Sequence, residues 1–192
     1  MAVAARGVSV RVAGVVIGAV LAFATAACGS QTVEGTAAAQ VSTIVGQDVG
    51  DGGGSTDFRA DVGDCVRLGG TVSAAEIEHA ACGSADSNYK VIGKASENAQ
   101  CPSDSDQVYY ETFGSVEQGA LCLDIDWVIG GCMSVPDGDE EPLRVDCTDP
   151  TASQVERATA IVEGVTGVDE CDEGGFTHPE RRFTVCTVTV TE

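Results

Sequence analysis

The residues with the widest chemical scope in this chain are its nine cysteines. Eight of them lie between Cys65 and Cys186, where thiols could act as nucleophiles, bind a metal or form disulfides. Zinc is disfavoured, because no Cys-x-x-Cys pair occurs and neither histidine has a partner at ligand spacing. Eight cysteines in one small domain are typical of a disulfide-braced protein in an oxidising compartment. We therefore predict disulfides, and no metal or cofactor.

Nucleophilic catalysis needs a base close to a serine or cysteine, and the chain has only two histidines. We expect His79 in a strand beside Cys82, and His178 in a loop before Pro179. Both are interpreted as surface or strand residues. No Gly-x-Ser-x-Gly motif occurs. The sequence therefore predicts no catalytic residue.

Carboxylates are abundant, with 30 acidic residues against 10 basic ones. The acidic run at 137–141 offers oxygen ligands but lacks the spacing of a twelve-residue Ca²⁺ loop. It is interpreted as a solvated hairpin tip, with a weak cation site as the alternative. Asp124 and Asp126 could pair for acid–base chemistry in a glycosidase-like cleft. Because carboxylates are so frequent, this pairing has little specificity.

The amino-terminal segment has the pattern of a targeting signal. Arg6 and Arg11 precede an apolar run of about a dozen residues, the length of a signal-peptide core and too short for a comfortable membrane span. Thr25-Ala26-Ala27-Cys28 then resembles a bacterial lipobox, in which the cysteine receives a diacylglycerol and becomes the first residue. Thr25 replaces the usual leucine. The alternative is an ordinary secretory signal cleaved near Ala24-Thr25-Ala26.

Cysteine arithmetic favours lipidation, because using Cys28 for a lipid leaves an even number for disulfides. We therefore predict a signal peptide at residues 1–27, and a lipidated Cys28 that begins a flexible tether at 28–60. The tether interpretation depends on polar and glycine-rich composition, including Gly52-Gly53-Gly54. The predicted location is the outer face of the cytoplasmic membrane.

The eight remaining cysteines fall into two sets with similar local contexts. We interpret them as a duplicated module, with copies at 61–126 and 127–192. Alternating β-branched residues predict a mainly β fold of two similar disulfide-stapled modules packed as one domain. An α+β variant stays open, since residues 105–117 could form a helix or a strand. Trp127-Val128-Ile129 is expected to pack between the modules.

If the module recurs, its disulfides should stay within each copy. Spacing alone does not fix connectivity, but this argument favours one set of pairs: Cys65–Cys82, Cys101–Cys122, Cys132–Cys147 and Cys171–Cys186.

Several motifs together resemble those of LppU-type lipoproteins of actinobacteria. They are the lipobox, the linker, Val62-Gly63-Asp64-Cys65, Cys101-Pro102 and Ala120-Leu121-Cys122-Leu123-Asp124. The cysteine order also resembles domains grouped as "septum formation", although Ser84-Ala85-Asp86 stands where that pattern often has Pro-His. The resemblance implies a surface lipoprotein and carries no catalytic residue with it.

The net charge of −20 limits the possible partners. Nucleic acid binding is excluded as a function class, because phosphate binding needs a basic surface. Three hypotheses remain. The first is a non-enzymatic envelope module that binds a protein or cell-wall partner. The others are a carboxylate-based hydrolase and a ligand- or cation-binding lipoprotein, the latter predicting a cavity lined by Tyr89, Tyr109, Tyr110 or Trp127.

Overall fold

A computed structural model describes residues 47–71, 73–138 and 140–191. The predicted signal peptide, Cys28 and the tether up to residue 46 lie outside the described residues. Within the described part, no helix is both long enough and apolar enough to cross a membrane.

The described residues form two β-sheets and a single turn of 3₁₀ helix at Asn98–Gln100. The strands are β1 (Gly50–Asp51), β2 (Cys65–Thr71), β3 (Ala74–Ala80), β4 (Tyr89–Ala95), β5 (Gln107–Phe113), β6 (Val116–Ile125), β7 (Cys132–Ser134), β8 (Leu143–Val145), β9 (Val155–Glu163), β10 (Gly174–His178) and β11 (Phe183–Thr189). The predicted mainly β fold is confirmed, and the segment left open at 105–117 contributes to strands β5 and β6.

The two sheets have the same topology. The first sheet has the order β3-β2-β4-β6-β5, with β1 added beside β4, and the second has the order β8-β7-β9-β11-β10. All pairs are antiparallel except β1 with β4. Taken in chain order, each strand from β2 to β6 has a counterpart from β7 to β11 at the same place.

The register of the two sheets also corresponds. Cys65 lies opposite Lys90 across β2 and β4, and Cys132 lies opposite Arg157 across β7 and β9. A β-bulge follows at the same distance along each strand, with Ile92 as the extra residue of β4 and Thr159 as that of β9. Bulges at equivalent positions are designed features of a fold, and they support the duplication predicted from the cysteines.

Each sheet carries two disulfides at equivalent positions. They join Cys65 to Cys82, Cys101 to Cys122, Cys132 to Cys147, and Cys171 to Cys186. In each copy, one bridge ties the first strand to the turn after the second strand, and the other ties a loop to the last strand. These are the pairs that the repeat argument favoured.

One hydrophobic core serves both sheets. Val66, Leu123 and their neighbours from the first sheet form a single cluster with Met133 and Phe183 from the second. Trp127 is buried at the junction, and its ring lies 5.1 Å from that of Phe176. The predicted packing of Trp127 between the two modules is confirmed.

The predicted tether at 28–60 is wrong for its second part, because residues 47–60 pack against the first sheet. β1 runs parallel to β4, and Val49 N–H donates to the Ile92 carbonyl at 2.7 Å. Ala60 is buried in the core cluster. Gly54 passes so close to Ala95 that an added Cβ would lie 2.3 Å from its carbonyl oxygen. The glycines therefore permit close backbone packing. A segment that packs in this way has the same glycine-rich composition as a flexible linker.

Candidate ligand-binding cleft

A cleft of about 810 Å³ opens between the first sheet and the loop that joins β7 to β8. Its volume falls within the range of small-molecule binding sites. The β2–β3 hairpin and β5 form two of its walls, and Phe176 of β10 reaches it from the second sheet. The acidic, amide and aromatic side chains of its lining are Tyr89, Asp106, Gln107, Tyr109, Tyr110, Phe176, Glu140 and Glu141.

Tyr89 and Glu141 form the polar floor of the cleft. Tyr89 begins β4, where its ring is buried in the shared core, and its hydroxyl donates to Glu141. Burial raises the pKa of Tyr89 above its usual value, and the Glu141 carboxylate raises it further. Gln107 Nε2 also donates to Glu141, at 3.4 Å. Tyr89 therefore stays a neutral donor to Glu141 at the floor of the cleft.

Tyr109 and Glu111 anchor the amino-terminal segment beside the cleft. The Tyr109 hydroxyl donates to Glu111 at 2.7 Å, and Glu111 also accepts from the backbone N–H groups of Asp57 and Phe58. Burial and the Glu111 carboxylate raise the pKa of Tyr109. Burial opposes ionisation of Glu111, but the three donors together lower its pKa. The wall of the cleft therefore depends on residues that sequence reasoning assigned to a tether.

Asp106 links the cleft to the second sheet. One of its oxygens accepts from Ile125 N–H at 2.8 Å, and the other lies 3.2 Å from His178 Nε2. His178 ends β10, is 1% exposed and stacks on Phe183. The predicted loop position of His178 is therefore wrong, because the residue is buried at the end of a strand. The stacked ring of Phe183 and the Asp106 carboxylate offset the cost of burying its imidazole. His79 lies in β3 as predicted, against Phe58.

Arg181 joins two buried carboxylates behind the cleft. Its guanidinium donates to both oxygens of Asp124, at 2.5 and 2.9 Å, and to Asp104 at 2.7 Å. Burial raises the pKa of Asp124; Arg181 lowers it in part, and the nearby Asp106 raises it again. The pKa of Asp104 shifts in the opposite direction. Burial raises it, but hydrogen bonds from Arg181 bring it below its usual range.

This arrangement leaves little freedom for metal or acid–base chemistry. Asp106, Asp124 and His178 each place one ligand atom within 4.8 Å of the others. Arg181 donates to both Asp124 oxygens, so a cation there would compete with a guanidinium that already neutralises the carboxylate. Asp124 is not among the described residues that line the cleft, so it is not placed to transfer a proton to a ligand there.

The structure does not bring Asp124 and Asp126 together as an acid–base pair. Asp126 has its own arginine, with Arg144 Nη2 lying 3.2 Å from Oδ2. The same oxygen accepts from Ser87 Oγ at 2.6 Å. Ser87 and Lys90 have the Ser-x-x-Lys spacing of some serine hydrolases, but Lys90 instead pairs with Asp48. These polar groups therefore act in structural ion pairs and hydrogen bonds.

The acidic run at 137–141 is only in part the solvated tip that was predicted. Asp137 and Glu140 are exposed, whereas Glu141 turns inward to Tyr89. Asp139 lies outside the described residues. Sequence reasoning missed the role of Glu141 because its partner lies 52 residues earlier in the chain.

The charged side chains of the cleft lining that the structure describes are all acidic. Asp106, Glu140 and Glu141 line the cleft, and no lysine, arginine or histidine is among the described residues of its lining. Aromatic faces lie beside these carboxylates, and the exposed ring of Tyr110 stands at the wall. Carboxylates attract a cationic group, and aromatic faces bind both apolar surface and cations. The cleft is therefore suited to an organic ligand with a positive charge.

Comparison with protein-family models, curated proteins and solved structures finds no match to this chain. The class of the protein is therefore defined by its own architecture, a duplicated and disulfide-braced β domain with an acidic, aromatic cleft.

Proposed function

We propose that this chain is a non-enzymatic, lipid-anchored envelope protein whose cleft binds a cationic organic ligand or a basic side chain of a partner. The observation that carries the proposal is the cleft itself, which has three carboxylates, tyrosine walls and, within the part of the chain that the structure describes, no basic lining residue. Its lining contains three of the four aromatic residues expected for a binding cavity: Tyr89, Tyr109 and Tyr110.

The anchor is part of the same proposal. A lipid on Cys28 would hold the domain at the outer face of the cytoplasmic membrane, where oxidising conditions allow the four disulfides to persist. The negative charge of the chain also suits a tether, because an anionic lipid surface repels it. In a host that processes lipoproteins, mass spectrometry should find a diacylated cysteine at residue 28 as the amino terminus. An unmodified amino terminus elsewhere would contradict the anchor and leave the cleft untouched.

Ligand binding can be tested with the full chain in detergent and two short peptides, Lys-Tyr-Lys and Glu-Tyr-Glu, as probes. Calorimetric titration should detect binding of Lys-Tyr-Lys and no binding of Glu-Tyr-Glu. Added salt should weaken this binding, because exposed charges are screened. The double variant Glu140→Gln and Tyr110→Ala should weaken binding about tenfold or more, since it removes one carboxylate and one aromatic face.

The matched control is Glu78→Gln on β3, an exposed carboxylate outside the cleft. It should leave the affinity unchanged. Equal binding of both peptides, or equal losses in the control and the cleft variant, would show that only the overall charge attracts the probe.

A further inference from the structure

The two sheets differ at one edge. In the first sheet, β2 pairs with β4 only at Tyr89 and Lys90, and β1 covers the edge further along. The carbonyls of Ile92 and Lys94 accept from Val49 and Gly52, both at 2.7 Å. The amino-terminal segment therefore acts as an added parallel strand that completes β4.

The second sheet has no such strand among the residues that the structure describes. β7 pairs with β9 through Val155–Arg157, and among the described residues Ala160–Glu163 have register partners on β11 alone. Counted from the matched residues Lys90 and Arg157, the counterparts of Ile92 and Lys94 are Thr159 and Ile161. By this correspondence, we expect the carbonyls of Thr159 and Ile161 to face the open edge, as those of Ile92 and Lys94 face β1. The Ile161 N–H should lie on the same side, because a strand residue directs both groups to one side.

Charge indicates what would fit this edge. In the first sheet, Lys90 binds Asp48 of the added segment at 3.4 Å. Its counterpart Arg157 is exposed and has no ion pair within the described part of the chain. A carboxylate at the position of Asp48 would pair with it. Lys94 binds Asp51, but its counterpart is Ile161, which favours an apolar residue there.

Shape adds a further requirement. An added Cβ on Gly93 would lie 2.2 Å from Val49 Cγ2, so Gly93 makes room for a valine in the added strand. The counterpart of Gly93 is Ala160, whose methyl group is exposed and occupies that space. An incoming strand must therefore carry a small residue where the first sheet receives Val49.

We propose that the edge of β9 that residues 47–191 leave open binds an extended segment of a partner protein, which runs parallel to β9. The segment has an acidic residue beside Arg157, then a small residue beside Ala160 and an apolar residue beside Ile161. This is strand addition, in which backbone hydrogen bonds give affinity and alternate side chains give specificity. A second copy of the chain is a poor occupant, because two copies with a charge of −20 each repel.

The test uses the full chain in detergent and the hexapeptide Thr-Asp-Gly-Thr-Val-Thr, which has the required pattern. Nuclear magnetic resonance titration should show a saturable shift of the Ile161 amide signal, with a dissociation constant in the millimolar range for so short a peptide. The peptide with valine in place of glycine should bind at least several-fold more weakly. Arg157→Gln should weaken the first peptide about two- to fivefold, as expected for an exposed ion pair.

Arg67→Gln is the matched control, an exposed arginine on β2, and should not change the affinity. Three results would overturn the proposal. The first is no shift of the Ile161 amide signal at millimolar peptide, and the second is equal binding of the glycine and valine peptides. The third is protection of the Ile161 amide from hydrogen exchange that rises with protein concentration when no peptide is present. The last result would identify a second copy as the occupant.

Discussion

Arg181 is the residue on which a buried cluster of three charged side chains depends. It reaches Asp104 and Asp124 of the first sheet from the second sheet, and all three side chains are almost fully buried. Arg181→Met should lower the free energy of unfolding by about 3–5 kcal/mol, because it removes the positive charge that pairs with two buried carboxylates. Urea unfolding followed by tryptophan fluorescence measures the loss.

The control for this variant is Arg67→Met, which removes an exposed ion pair of 3.7 Å with Asp86. Such pairs contribute about 0–1 kcal/mol. Equal effects of the two substitutions would mean that the Arg181 cluster adds no more to stability than a surface pair does.

Glu111 links stability to pH. Its folded pKa lies below the ordinary value, so the stability it contributes is complete above that value and is lost as the pH falls through the folded pKa. The urea midpoint should therefore decrease as the pH is lowered from about 4.5. Glu111→Gln should flatten this decrease, because glutamine has no proton to gain. An unchanged slope would assign the acid sensitivity to other carboxylates, such as Asp104.

At the scale of elements, the amino-terminal segment provides a sharp comparison between two neighbouring glycines. Gly53 and Gly54 both have positive φ, but an added Cβ meets nothing within 4 Å at Gly53 and lies 2.3 Å from the Ala95 carbonyl at Gly54. Gly53→Ala should cost about 1–2 kcal/mol for its backbone conformation alone. Gly54→Ala should cost more and should release β1 from β4.

Hydrogen exchange of Val49 and Gly52, whose N–H groups donate to the carbonyls of Ile92 and Lys94, measures that release. Their amides should exchange faster in Gly54→Ala than in Gly53→Ala, while amides of β11 stay protected. If the two variants exchange alike, the contact of Gly54 with Ala95 does not hold the segment in place.

The elements show why sequence reasoning succeeded in part. The residues around the cysteines indicated the duplication, because each disulfide constrains neighbouring residues in the same way in both copies. The alternation of β-branched residues predicted the strands. The glycines at 52–54 led to the wrong prediction of a flexible tether, because composition does not distinguish a linker from a close backbone approach. The Arg181 cluster was invisible, since Asp104 lies 77 residues away from it and local patterns carry no such pairing. The rarity of basic residues in this acidic chain was the one available signal.

At the scale of the whole molecule, the duplicated sheets raise the question of whether they unfold together. Their strands share one core cluster, and Ser103 and Arg144 add hydrogen bonds between the two copies, to Glu180 and Ser84 respectively. Separate modules would each expose half of that core, which is unfavourable because buried apolar area is the main stabilising term. We therefore expect a single cooperative transition, with equal calorimetric and van't Hoff enthalpies.

Trp127 tests this cooperativity, because it lies between the sheets and is 3% exposed. Trp127→Ala should destabilise the protein by about 3–5 kcal/mol and lower the one transition as a whole. Phe113→Ala, at a side chain that is 82% exposed, should change stability by no more than about 0.5 kcal/mol. If Trp127→Ala instead splits the heat capacity peak in two, each sheet folds independently and the shared core only docks them.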